Sequence, residues 1–138
     1  MKLLEKKFMV FCFALVLSCV AFVFNGNMAS AMTLSDLEGT YRIVEADNIW
    51  SSGNKGCLVE ISMTDKGLVG IQKNDIGFDA GAIIICDVWV DEGIIHCQVP
   101  FKPSGDRQDS VLKVYNNGNM LRAESNRNTG LFYVLKRM

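Results

Sequence analysis

The chain has 138 residues, 49% hydrophobic and 21% charged, with 14 Lys and Arg against 15 Asp and Glu for a formal net charge of −1. That length admits one domain behind a leader. With no block of like charge, the composition excludes the basic surface that nucleic acid or an anionic membrane would require.

Residues 1–31 read as a secretory signal. Lys2, Lys6 and Lys7 form a positive start, Phe8 to Phe24 is almost continuously apolar, and a small-residue stretch ends Ala29-Ser30-Ala31. This is the three-part layout of an export signal with an A-x-A site. Cleavage after Ala31 is expected, leaving a periplasmic or extracellular protein without a membrane span. An apolar run of about 17 residues retained as an anchor is the alternative. Val16-Leu17-Ser18-Cys19 faintly resembles a lipoprotein box, but cutting there would expose the apolar run VAFVF, so Cys19 is read as part of the signal.

Residues 32–138 are expected to form a single domain, with 11 Lys and Arg against 14 Asp and Glu. At its start, Thr33-Leu34-Ser35-Asp36 has the shape of a capping box, a hydroxyl with an acid three residues on. One turn of helix there would aim Leu34 and Leu37 at one end of the domain. Beyond Gly39 the chain shows no helical periodicity. Short β-branched and aromatic runs recur between clusters of Gly, Asn and Asp, and predict strands at about 40–46, 57–63, 68–73, 82–90, 93–99, 110–116, 119–125 and 130–136.

Three turns fix expected registers. In MTDKGL, Gly67 suits the left-handed position of a three-residue loop, placing Met63 opposite Val69 and Ile61 opposite Ile71, with Gln72 outward. In VDEGI, a loop of Asp91-Glu92 groups Ile84, Cys86, Val88, Val90, Ile95, Cys97 and Val99 on one face, with Cys86 across from Cys97. In YNNGNM, Asn117-Gly118 is a favoured two-residue turn. It sets Tyr115 opposite Met120 and Val114 opposite Leu121, with Lys113, Arg122 and Glu124 facing out. Connections 47–56, 74–81 and 100–109 are rich in Gly, Ser, Asn, Asp and Pro and read as surface loops. Successive hairpins with no room for crossover helices predict an all-β domain, an eight-stranded antiparallel up-and-down barrel. A two-sheet sandwich is the alternative.

Past the signal lie three cysteines, Cys57, Cys86 and Cys97, an odd number in an oxidising compartment. A disulfide plus one buried thiol is expected, pairing Cys86 with Cys97 or Cys57 with either. Cys57–Cys86 is preferred because a bridge between neighbouring strands closes little extra chain. A three-cysteine metal site lacks both the C-x₂₋₄-C spacing and a fourth ligand. His96 is the sole histidine and adjoins Cys97, but neighbours on a strand face opposite ways and share no proton. NDIGFDAG is a loose match to a calcium loop and reads better as a glycine- and Asx-stabilised turn. No metal or cofactor, and no catalytic activity, is expected. Trp50, in the polar loop DNIWSSGNKG, is either a binding anchor or a lid on its own barrel. Trp89 falls on the outer face with Ile85 and Ile94, where it could serve a partner.

Leu37-Glu38-Gly39-Thr40-Tyr41-Arg42-Ile43 resembles the Gly-x-Trp opening of calycin-type barrels, the lipocalins and their smaller bacterial relatives. Tyr41 stands at the Trp position, and the resemblance implies that it plugs the closed end. In size, in the cysteine-led strand CLVEISM and in the ending GLFYVLKR, the chain is similar to the bacterial secreted inhibitors of serralysin-type metalloproteases. That resemblance implies a Cys57–Cys86 bridge and an N-terminal segment inserted into a protease cleft, here Met32, Thr33, Leu34 and Ser35. The chain departs from the pattern in its third cysteine and its short segment ahead of Gly39. Two functions are therefore expected. One is a binding module for a protein, such as a secreted protease, using Met32 to Ser35 and Trp50. The other is a carrier of a small apolar ligand in a cavity lined by Ile43, Val59, Ile61, Val88, Leu112 and Val114.

Overall fold

The computed structural model describes residues 21–22 and 32–138. The A-x-A site and, apart from Ala21–Phe22, the expected signal segment lie outside the described residues. β1 (Ala21–Phe22) pairs antiparallel with β2 (Met32–Thr33), and a single 3₁₀ turn, Leu34–Leu37, comes next. As the capping box requires, the Thr33 backbone N–H donates to Asp36 Oδ2 at 2.9 Å.

The eight expected strands are present: β3 (Gly39–Ala46), β4 (Leu58–Thr64), β5 (Gly67–Gln72), β6 (Ile83–Asp91), β7 (Ile94–Pro100), β8 (Arg107–Tyr115), β9 (Met120–Ser125) and β10 (Phe132–Arg137). Each pairs antiparallel with the next, and β10 returns to β3 to close the barrel. Closure leaves no exposed edge, as eight short half-apolar strands require. The short hairpin turns after β4, β6 and β8 lie at one end with the 3₁₀ turn, hereafter the floor. The longer connections after β3, β5, β7 and β9 gather at the other, hereafter the mouth.

The β8–β9 hairpin has the expected pairs, Tyr115 with Met120 and Val114 with Leu121. Asn116, Asn117 and Gly118 all have positive φ, so the turn is a tight four-residue loop around the expected dipeptide. Leu112, Val114, Leu121 and Ala123 are buried, while Glu124 outside receives Lys113 at 3.3 Å and Arg122 at 2.6 Å.

The other two hairpins correct the expected registers. Met63 pairs with Leu68 and Ile61 with Gly70, because Asp65-Lys66 alone forms the loop and Gly67 is already in β5. This one-residue slip turns Ile71 outward and Gln72 inward. Gly70 suits the crowded interior, where a Cβ would meet Val59, Ile85 and Ile61 at 3.1–3.4 Å. Between β6 and β7 the loop is Glu92-Gly93, both at positive φ, so Val90 pairs with Ile95. Two residues of slip preserve the faces, so Ile84, Val88, Val90, Ile95, Cys97 and Val99 stay with the core as expected, whereas Cys86 does not. A β-bulge with Asp87 at φ 52° then shifts the ladder, pairing Cys86 with Gln98 rather than Cys97. The bulge also buries Ile85, which was expected outside beside Trp89.

Candidate functional site

The interior is filled. Of the side chains expected to line a ligand cavity, Ile43, Val59, Ile61, Leu112 and Val114 are buried in one continuous core, with Val88 packed against it. Both ends are plugged by aromatic residues. At the floor, Tyr41 is fully buried and its hydroxyl lies 2.8 Å from the Leu37 carbonyl and 3.0 Å from that of Gly118, to which it donates. The same oxygen accepts from Arg137 Nη2 at 2.6 Å, and Arg137 also donates to the Asp36 carbonyl. Burial raises the Tyr41 pKa, opposed by the Arg137 hydrogen bond and charge.

At the mouth, Tyr133 stacks obliquely on Phe101 with ring centroids 5.0 Å apart. Its hydroxyl donates to the Pro100 carbonyl and accepts from Asn54 Nδ2. Burial pushes its pKa well above the ordinary range.

The loop that carries Trp50 is built on Asp47. This buried carboxylate accepts the backbone N–H groups of Ile49, Trp50 and Ser51 on Oδ1, at 2.9, 2.8 and 3.2 Å, and that of Phe132 on Oδ2 at 3.1 Å. An Asp followed by a turn whose N–H groups point back at it is an Asx-type arrangement. Burial raises the Asp47 pKa, but hydrogen bonds from Ser51 and from the Trp50 and Phe132 backbones outweigh it and leave the carboxyl below its ordinary value. Ser51 anchors the loop further through its hydroxyl to the Phe101 carbonyl. The result is a fixed backbone that holds Ile49 58% and Trp50 50% exposed, with Lys102 Nζ 6.0 Å from the Trp50 ring.

The expected partner-binding residues do not come together. Met32 is buried against Gly118 at the floor, Thr33 and Leu34 are half-buried and Ser35 is exposed. β3 runs the height of the barrel, eight residues or about 25 Å, between that turn and the loop of Trp50. The chain order already contained this separation. Asp47 was also legible, as an acid two to four residues ahead of Ile49, Trp50 and Ser51.

The expected disulfide is not formed: Cys57, Cys86 and Cys97 are all free. The β6 bulge moves Cys86 off the position facing Cys97, and Cys57 donates its S–H to the Ile76 carbonyl at 2.9 Å. Burial pushes the Cys57 thiol up to about 11, that of Cys97 up to about 12, and raises Cys86 as well. Thiols so placed stay protonated and are poor nucleophiles. His96 stacks on Trp89, centroids 4.3 Å apart and planes 17° apart, beside a cleft of about 290 Å³ on the outer wall. Among the described residues no group of three or more His, Cys, Asp or Glu is placed to hold a metal ion, and no helix is long and apolar enough to cross a membrane.

Comparison with protein-family models, with curated proteins and with solved structures finds no match to this chain.

Proposed function

We propose that the protein is an exported, non-catalytic binding module that grips a protein partner with the mouth of its barrel, using Ile49 and Trp50 as anchors. The observation that carries this reading is the pairing of exposure with rigidity. Two large apolar side chains stand in solvent on a backbone fixed by four hydrogen bonds to Asp47. A loop backbone ordered before contact loses little entropy on binding, and buried aromatic anchors dominate interface energies.

The filled interior supports a protein partner over a small apolar ligand, since Ile43, Val59 and Ile61 occupy the space a ligand would need. The inhibitor resemblance suggests a secreted protease as partner. Because Met32 to Leu37 fold back on the floor, such a protease would be met by the mouth rather than by an extended N-terminal segment. Export rests on the signal pattern of residues 1–31.

The test is capture from the host's secretions on immobilised barrel, residues 32–138, beside an Ile49→Ala/Trp50→Ala variant. A stoichiometric protein lost with the variant supports the reading. A bound lipid or other apolar molecule retained by both would replace it with the carrier.

A further inference from the structure

The outer wall over β6, β7 and β8 carries a second feature, distant in sequence from the Trp50 loop. The bulge at Asp87 interrupts the ladder between the Trp89–His96 and Cys86–Gln98 pairs, and the cleft of about 290 Å³ opens there. Trp89 and His96 form one wall as a stacked pair, and Trp89 remains 54% exposed despite the stack. Across from them stand Gln98 and Asp109, with the Gln98 amide donating to Asp109 Oδ1, and Asn126 completes the rim.

The charge of this cleft is one-sided. Asp87 and Asp109 both line it, and no Lys or Arg does. Neither carboxylate belongs to an ion pair among the described residues. Arg107, two residues before Asp109 on the same face of β8, makes none with it. Asp87 also takes a left-handed backbone conformation that most side chains avoid and Asp tolerates.

An aromatic face attracts a cation through its quadrupole, and a carboxylate pairs with N⁺–H donors in short, charge-assisted hydrogen bonds. A volume at the lower limit of ligand clefts suits one small group rather than a large cofactor. We infer that the Trp89–His96 cleft binds an organic cation, a guanidinium or alkylammonium on a short apolar stem. The stem lies against Trp89, and the N–H groups donate to Asp87 and Asp109.

The test uses the Trp50→Phe protein, in which Trp89 is the sole remaining tryptophan. Its emission is followed during titration with agmatine, with the tripeptide Gly-Arg-Gly and with methyl glucoside. Saturable change with a guanidinium probe is expected, weakened by raised salt. Asp87→Asn, which keeps both the shape and the tolerance of positive φ, and Asp109→Asn should each weaken binding about 10-fold, as loss of a charge-assisted contact implies. Tighter binding of the tripeptide identifies the source as a partner's arginine side chain, and tighter binding of agmatine a free amine. Asp87→Gly, which relieves the backbone, controls for folding: it should be no less stable than its parent and still lose affinity. Saturation by the neutral sugar alone, no saturable change with either cation, or full affinity in both Asn variants would overturn the inference.

Discussion

Replacing Asp47 with Ala tests whether one carboxylate organises the mouth. The wild-type side chain, 4% exposed, accepts four backbone N–H groups, and its removal leaves them without that partner. Ser51 is fully buried, so water cannot readily replace the bond to its N–H, whereas Ile49 and Trp50 lie in the open. A hydrogen bond to a charged group contributes about 1.5–3 kcal/mol and an orphaned buried donor costs about 1–3 kcal/mol. The part-buried N–H groups of Ile49 and Trp50 recover some of their loss in water, so the expected destabilisation is about 3–4 kcal/mol. Urea denaturation should show a lower midpoint at unchanged slope. Asp47→Asn should cost less, since its amide oxygen still serves the three N–H groups on Oδ1 while its NH₂ opposes that of Phe132. In a Trp89→Phe background, where Trp50 is the sole tryptophan, its fluorescence anisotropy should fall in the Ala variant as the loop gains freedom. A loss below about 0.5 kcal/mol, the range of ordinary surface substitutions, with anisotropy unchanged would refute the claim that Asp47 fixes this loop.

Acid should act through the same group. Because its folded pKa lies below the ordinary carboxylate value, Asp47 contributes stability above that value and loses it as pH falls through the folded one. Asp47→Asn should flatten the acid limb of a stability–pH curve, and an identical limb would exclude this linkage. At the floor, Tyr41→Phe leaves the Leu37 and Gly118 carbonyls without a hydroxyl donor and should cost about 1–3 kcal/mol by urea denaturation. At Gly77, with φ at 77°, an added Cβ would sit 1.6 Å from Asn54 Oδ1. Gly77→Ala should therefore destabilise far more than Gly81→Ala, where a Cβ meets nothing within 4 Å, and equal thermal midpoints would contradict that packing. The thiols should resist a disulfide reagent in native protein at mildly alkaline pH and react in denaturant; rapid native reaction of Cys57 or Cys97 would be inconsistent with pKa values of about 11 and about 12.

The strands were legible because most alternate apolar and polar side chains, and the β8–β9 register because Asn-Asn-Gly-Asn is a turn under any pairing. β5 was not. Its residues Leu68, Val69, Ile71 and Gln72 place apolar groups on both faces, so pattern alone favoured turning Gln72 out. What turns it in lies outside the strand pattern but close in the chain: the Gln72 NH₂ shares its two N–H groups among the carbonyls of Asn74, Ile76 and Phe78, and so holds the loop after β5. β6 hid its bulge for a related reason, since Ile83-Ile84-Ile85-Cys86 is apolar throughout and marks no break in alternation. The alternative Cys86–Cys97 bridge depended on that unbroken ladder; the preferred Cys57–Cys86 bridge did not, and neither is formed. For Trp50, the sequence offered lid or anchor equally, because exposure depends on whether Phe101 and Tyr133 already fill the mouth. They do, and Trp50 stands outside.

The placement of the buried polar groups connects these observations. Asp47, Ser51, Asn54 and Gln72 are all buried, and all gather at the mouth. Asp47, Ser51 and Gln72 bond to backbone there, and Asn54 reaches Tyr133. A buried polar side chain without a partner is costly, so each of these residues is stable only while its loop keeps one conformation. The chain thus uses interior polarity to order connections that their Gly, Ser and Asn content would otherwise leave loose. The floor needs less of this, since its turns are short and Tyr41 with Arg137 suffices. A barrel built only to be stable could close both ends with apolar side chains. Ordering the long loops from within, while leaving Ile49 and Trp50 in solvent, sets a preorganised surface at the mouth, and under the function proposed above such a surface lowers the entropy cost of gripping a partner.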